Sequence, residues 1–262
     1  MASPKLSAVC FARLLLASTL VAGGLASAAP AQPPDESAPA QPQPVLVELF
    51  TSEGCSDCPP ADALLARLDQ TQFVPGVHAI VLSEHVTYWN HEGWRDPFSF
   101  EAMTDRQDQY VQRFGLQSPY TPQMVVDGFE QFVGNDPNAM VRAVARAAEA
   151  PKQKIVIGNV TWASGDVHFS VTGSALSNAT LFAALAENAT HSEVSRGENK
   201  GRTLHHVAVV RVLKDFGSKD ADGRPLQLSA GDKTAGPLRL VVFLTDRKSG
   251  HVVAVAEKTQ AP

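Results

Sequence analysis

Cysteine is scarce in this chain, with three residues in 262, at positions 10, 55 and 58. That excludes a small scaffold stapled by several disulfides. Tryptophan and tyrosine are equally sparse at three each, yet half of them fall close together as Tyr88, Trp89 and Trp94. Basic side chains are outnumbered, 22 against 27 acidic, which argues against a nucleic-acid partner. No apolar run reaches the ~20 residues of a membrane-spanning helix. The remaining composition, 44% hydrophobic with 18 glycines and 18 prolines, excludes a collagen-like fibre or a wholly disordered chain and allows a sizeable core.

Near the start, Lys5 and Arg13 precede an apolar run from Leu14 to Ala22 that closes on Ala26-Ser27-Ala28. This is the pattern of a secretory signal peptide over residues 1–28, with a retained anchor as the alternative. It predicts a periplasmic or secreted protein with no membrane span in its mature chain. Cys10 leaves with the leader, so Cys55 and Cys58 remain in a compartment where thiols meet oxidants. Residues 29–44 hold six prolines and no large apolar side chain, and read as a disordered, Pro-rich tether.

Ordered structure is expected from Val45. VLVELF is apolar on both alternating faces except at Glu48, as in a central strand covered from both sides. Ala61, Leu64, Leu65 and Leu68 line one face of a helix that Pro59 and Pro60 can start. Val77 to Leu82 forms a second buried strand, hence a parallel pair with a right-handed crossover. Met103, Tyr110, Val111 and Phe114 predict a second helix, stopped by Gly115. QMVVD and FEQFV form a hairpin about Asp127-Gly128, and a third helix begins after Asn135 or Asp136 with Pro137. Beyond Pro151 short strand-like runs follow one another, predicting an all-β sandwich over residues 151–262. Within it ATLFAALAE suits a strand or a short helix.

Cys55-Ser56-Asp57-Cys58 lies between the end of a buried strand and the start of a helix. Helix N-terminal N–H groups and their partial positive charge favour thiolate, and two intervening residues permit a reversible bridge. Cys55 is then the exposed attacking sulfur and Cys58 the resolving one. A structural disulfide is the alternative, although closing so short a loop removes little unfolded-state entropy.

VLVELF, the Cys-x-x-Cys, the helix and then Thr121-Pro122-Gln123-Met124-Val125-Val126 resemble the thioredoxin-like superfamily over residues 45–150. SEGCSDCPPAD, HVTYWNHEGWRDPF and YTPQMVVDG together resemble a bacterial family of exported thioredoxin-like proteins of unknown function. The resemblance implies an α/β thioredoxin-like domain at 45–150, followed by the sandwich. It implies a cis-proline at Pro122 beside Cys55, with the Thr121 backbone able to pair with an extended substrate. It also implies a buried acid, Glu48, that moves the proton of Cys58; a solvent-facing or base-paired Glu48 is the alternative. Asp57 opposes the helix dipole, which argues against a strongly oxidising pair.

The loop from His85 to Asp96 is expected on the same sheet edge, with Tyr88, Trp89 and Trp94 walling a substrate groove. His85 or His91 would assist proton transfer, or join Cys55 and Cys58 in holding copper or zinc; solvated histidines are the alternative. His205-His206 and SRGENKGRT read as strand and turn residues without a functional role. The expected function is thiol-disulfide exchange, reductase or isomerase-like, on thiols or disulfides of extracytoplasmic proteins, with an unknown electron partner and no organic cofactor. The alternatives are a copper or zinc protein using the same cysteines and a redox-inert binding protein.

Overall fold

The computed structural model describes residues 41–163, 165–173, 179–217, 222–231, 234 and 236–261. The expected signal peptide, and the tether as far as residue 40, lie outside the described residues. Strand β1 (Gln43–Thr51) leads through helix α1 (Pro59–Thr71) to strand β2 (Val77–His85). β1 and β2 are parallel, with Val45 opposite Ala79 and Val47 opposite Val81. Helix α2 (Glu101–Phe114) ends at Gly115, whose φ of 64° is the left-handed conformation that glycine adopts freely. β3 (Gln123–Val126) returns antiparallel to β1 and pairs with β4 (Glu130–Val133). Asp127 and Gly128 both have positive φ, 50° and 62°, which suits the twist of a tight hairpin. The Asp136 carboxylate then caps helix α3 (Pro137–Glu149), accepting from the N–H groups of Asn138 and Ala139.

After α3 the described residues are all strand and connection: β5 (Ile155–Ala163), β6 (Asp166–Gly173), β7 (Ala179–Glu193), β8 (Thr203–Gly217), β9 (Leu226–Ser229), β10 (Leu238–Asp246) and β11 (Val252–Thr259). ATLFAALAE lies within β7, as strand. The larger sheet has eight strands in the order β11-β10-β7-β8-β2-β1-β3-β4, and the smaller has β5-β6-β9. The seam between the two halves of the chain is the parallel contact of β2 with β8, at Ser83 and Val209.

This arrangement overturns the expected α/β thioredoxin-like domain followed by an all-β sandwich. Among the described residues the chain is mostly strand with three helices, and its main sheet is mixed and runs through both halves. The physical reason lies in β7 and β10, which are apolar on both faces. β10 turns Leu240, Val242 and Leu244 toward the β5-β6-β9 sheet, and Val241 and Phe243 toward the opposite side. Strands that must be covered on both faces sit well inside a large sheet, and the outer edge of β2 is open to extend one.

Three cores result. Val45, Val47 and Leu49 of β1 pack with Leu65 and Leu68 of α1 and with Met140 and Val144 of α3. On the opposite face Leu46, Ile80 and Leu82 share a core with Met103 of α2 and with Val241, Phe243 and Val255. The sheet therefore curls, bringing β11 over β1 and β2, where His78 meets Glu257 at 2.9 Å. In the third core Leu181, Leu185 and Leu240 meet Val167, Phe169 and Leu228. Burying each such side chain stabilises the fold by about 1.5–3 kcal/mol. Among the described residues no helix is long and apolar enough to cross a membrane.

Candidate functional site

β1 ends at Thr51, and the chain turns through Ser52-Glu53-Gly54 into the cysteine segment. The Cys55 N–H donates to the Ser52 carbonyl at 3.1 Å. A Cβ at Gly54 would stand 2.9 Å from the Cβ of Trp89, so any larger residue would push the aromatic loop away. Cys55 and Cys58 are joined by a disulfide with Cα atoms 5.5 Å apart. Cys58 is the N-cap of α1, and its carbonyl accepts from Ala61 and Asp62. Partial positive charge at this helix end favours thiolate in the reduced pair.

Opposite the pair, the Thr121–Pro122 peptide bond is cis, and Cys55 Sγ lies 3.9 Å from the Thr121 carbonyl oxygen. Trp89 Nε1 donates to Thr121 Oγ1 at 2.8 Å, so Trp89 spans from Gly54 to Thr121. The structure thus brings together Cys55, Cys58, Thr121, Pro122 and Trp89. Tyr88 is half-buried beside Trp89, ring centres 6.3 Å apart, with Thr121 near its phenol. Trp94 Nε1 donates to Glu53 Oε2 at 2.8 Å. Tyr88 packs against the Phe50, Val86, Tyr110 and Val125 core, where burial pushes its phenol up to about 12. Cys55, expected exposed, is 2% exposed, and Cys58 is 0% exposed.

Glu48 is buried, but on the other side of β1. Its neighbours Val47 and Leu49 face α1, so by alternation Glu48 faces α2. There it accepts from Arg106 Nε at 2.6 Å and from the Tyr110 hydroxyl at 2.5 Å. The Arg106 guanidinium also lies 5.3 and 5.1 Å from the Phe182 and Phe243 ring centres. Burial, and then the charge of Glu48, push the neighbouring Glu84 carboxyl well above the usual range. Glu48 is therefore the base-paired acid of the alternative reading, and its contacts are to α2 rather than to the cysteines.

A second enclosed acid is Glu53, two residues before Cys55 in the turn that leads into the pair. Its carboxylate accepts from Ser192 Oγ, from Trp94 Nε1 and, at 3.2 Å, from His206 Nε2. His206 Nδ1 faces Asp62 Oδ2 at 3.8 Å, so one imidazole of β8 joins the carboxylates on either side of the cysteine segment. Burial lowers the His206 pKa, but hydrogen bonds and charge from Asp62 and Glu53 outweigh it and raise the value to about 10. His85 stands edge-on to His206, ring centres 4.7 Å apart, and its Nδ1 meets Asp96 Oδ2 at 2.7 Å. Burial would raise the Asp96 carboxyl, but His85 and the N–H groups of Glu53 and Phe98 hold it below its ordinary range.

Asn199 completes the enclosure, its Nδ2 donating to the carbonyls of Glu53 and Cys55 at 2.9 Å each. Glu198 Oε2 accepts from the Ser56 N–H at 3.1 Å. Sequence reasoning gave no role to Glu53, Asp62, Asp96, Ser192, Glu198, Asn199 or His206. A signal existed for His206: it falls in phase with the buried Leu204, Ala208 and Val210, whereas His205 points to solvent. None existed for Asn199, which lies in a polar turn. His91 sits on the surface beside Glu92, so the four residues of the copper or zinc alternative are not gathered. Among the described residues no group of three or more His, Cys, Asp or Glu is placed to hold a metal.

Comparison with known proteins adds a family and a fold. A family described as a protein of unknown function, DUF1223, matches residues 46–245. The crystal structure of a protein from Agrobacterium tumefaciens is similar to this chain, with 24% sequence identity and a TM-score of 0.59. The likeness covers 82% of this chain and 92% of that one, and at that identity it bears on the fold alone. No curated protein matches.

Proposed function

The chain belongs to the DUF1223 family, whose function is unknown, and we propose that it is an exported thiol-disulfide oxidoreductase, reductase or isomerase-like, acting through Cys55 and Cys58. One local observation carries the reading: a Cys-x-x-Cys bridge at the first turn of α1, with Cys55 Sγ 3.9 Å from the carbonyl oxygen that precedes a cis-proline. The same local grouping supports kinship with the thioredoxin-like superfamily, on the site rather than on the sheet. The leader-like residues 1–28 support a periplasmic or secreted location.

In the proposed reaction the reduced pair presents Cys55 as thiolate, which attacks one sulfur of a disulfide in an extracytoplasmic protein. A Cys55–substrate disulfide forms and one substrate thiolate leaves, taking a proton from water. The Cys58 thiolate then attacks the Cys55 sulfur, restoring the Cys55–Cys58 bridge and releasing the second substrate thiolate. Two electrons pass to the substrate, and an external dithiol must reduce the pair again. The Thr121 backbone lies where an extended substrate segment would run. No organic cofactor is required.

The burial of both sulfurs favours a second reading, a redox-inert binding protein whose bridge shapes the loop. The deciding measurement is the reduction potential of the mature protein, by thiol trapping in graded glutathione or dithiothreitol buffers. The expected value lies within about −270 to −120 mV; a value below about −300 mV would replace the exchange reading with the second one.

A further inference from the structure

The β7–β8 hairpin carries a polar loop, residues 194–202, that lies on the cysteine segment. Its base is closed by the Val194 N–H to the Arg202 carbonyl at 3.0 Å and the Gly201 N–H to the Val194 carbonyl at 2.7 Å. Gly197 and Gly201 both have positive φ, 74° and 82°. The loop is therefore a small unit folded on itself rather than a strand of the sheet.

Three hydrogen bonds and one close contact hold it down. Asn199 supplies two of the bonds, to the Glu53 and Cys55 carbonyls, and Glu198 accepts the third from Ser56. Gly197 presses on the aromatic loop, where a Cβ would stand 3.0 Å from the Cβ of Trp94. Within the loop only Val194 is a buried apolar residue, so little apolar surface keeps it closed. The cysteine segment under it is fixed by the Cys55 N–H to the Ser52 carbonyl and by the first turn of α1, where the Cys58 carbonyl accepts from Ala61 and Asp62.

A thiolate attacks a disulfide along the S–S axis and needs a free approach to one sulfur. Both cysteines are almost fully buried, so exchange requires something to move, and this loop rests on the cysteine segment through few contacts. We propose that residues 194–202 form a gate over the Cys55–Cys58 pair, latched by Asn199 and Glu198, which opens as a unit to admit a thiol or disulfide partner. The inference concerns access to the pair and rests on the exchange reading for its purpose.

The test uses the oxidised full-length mature chain and dithiothreitol as the probe. Its dithiol passes two electrons to the pair and becomes a cyclic disulfide, while Cys55 and Cys58 become thiols. Rates of reduction are compared for wild type, Asn199→Ala and Glu198→Ala, each at the same distance from its own unfolding midpoint. Asn199→Ala removes two hydrogen bonds and is expected to speed reduction about tenfold to a hundredfold. Glu198→Ala removes one bond at an exposed residue, folds normally, and is expected to speed it several-fold. Unchanged rates in Glu198→Ala, or an Asn199→Ala acceleration that vanishes at equal global stability, would overturn the gate. Faster variants with a potential too reducing for catalytic exchange would leave the gate standing and remove the exchange reading; unchanged rates with a potential inside the catalytic range would do the reverse.

Discussion

Raising the pH should destabilise this protein through His206, one imidazole held between Glu53 and Asp62. A carboxylate beside each ring nitrogen, Glu53 at 3.2 Å and Asp62 at 3.8 Å, favours the protonated ring, so the folded protein holds an imidazolium. Its folded pKa is raised to about 10 from 6.5. Below pH 6.5 both folded and unfolded chains are protonated at this residue, and its stabilising contribution is complete. Between pH 6.5 and 10 the unfolded chain has lost the proton while the folded chain keeps it, so the contribution falls away. At about 1.4 kcal/mol per pH unit, the loss reaches at most about 5 kcal/mol. Urea unfolding of the oxidised protein at pH steps from 6 to 10, followed by tryptophan fluorescence, measures it, because Trp94 donates to Glu53 in the same cluster. His206→Gln should be less stable than wild type at pH 6 and should lose most of the slope above 6.5. Parallel curves for the two proteins, or an imidazole seen by NMR to titrate near 6.5 in the folded state, would refute the reasoning.

Arg106→Met strands the buried carboxylate of Glu48 and should destabilise by about 3–5 kcal/mol, with Glu48→Gln in the same chain recovering most of it; equal urea midpoints for wild type and Arg106→Met would mean the pair contributes nothing. Asp136→Ala removes the acceptor for two N–H groups at the start of α3 and should cost about 1 kcal/mol, read as a fall of about 2–4 °C in Tm; an unchanged Tm would mean the cap contributes nothing.

Much of the local structure was legible in the residue order. Spacings of three and four marked α1 and α2, Asp127-Gly128 marked the β3–β4 turn, and Asp136-Pro137 marked the start of α3. The cysteine pair at the start of α1 was legible from the short connection of β1 to α1, and the neighbourhood of Thr121-Pro122, 66 positions on, from the resemblance of its motif. Glu48 was left between a proton-moving acid and one paired with a base, and periodicity points to the second: it is flanked by two residues that face α1, so it faces away from α1, toward Arg106.

Sequence alone therefore determined the strands and helices, their inward faces and the cysteine pair at the start of α1, since each depends on side chains a few residues apart. Tertiary structure decided what those elements join. An apolar alternation states that β7 and β10 need cover on both faces without naming the neighbouring strand, so the seam of β2 with β8 was beyond it. The His206 bridge and the Asn199 latch unite residues 144 and more positions from Glu53 or Cys55, through hydrogen bonds with no periodic signature. Only the packed chain, where the β7–β8 hairpin meets the end of β1, puts those groups in reach of one another.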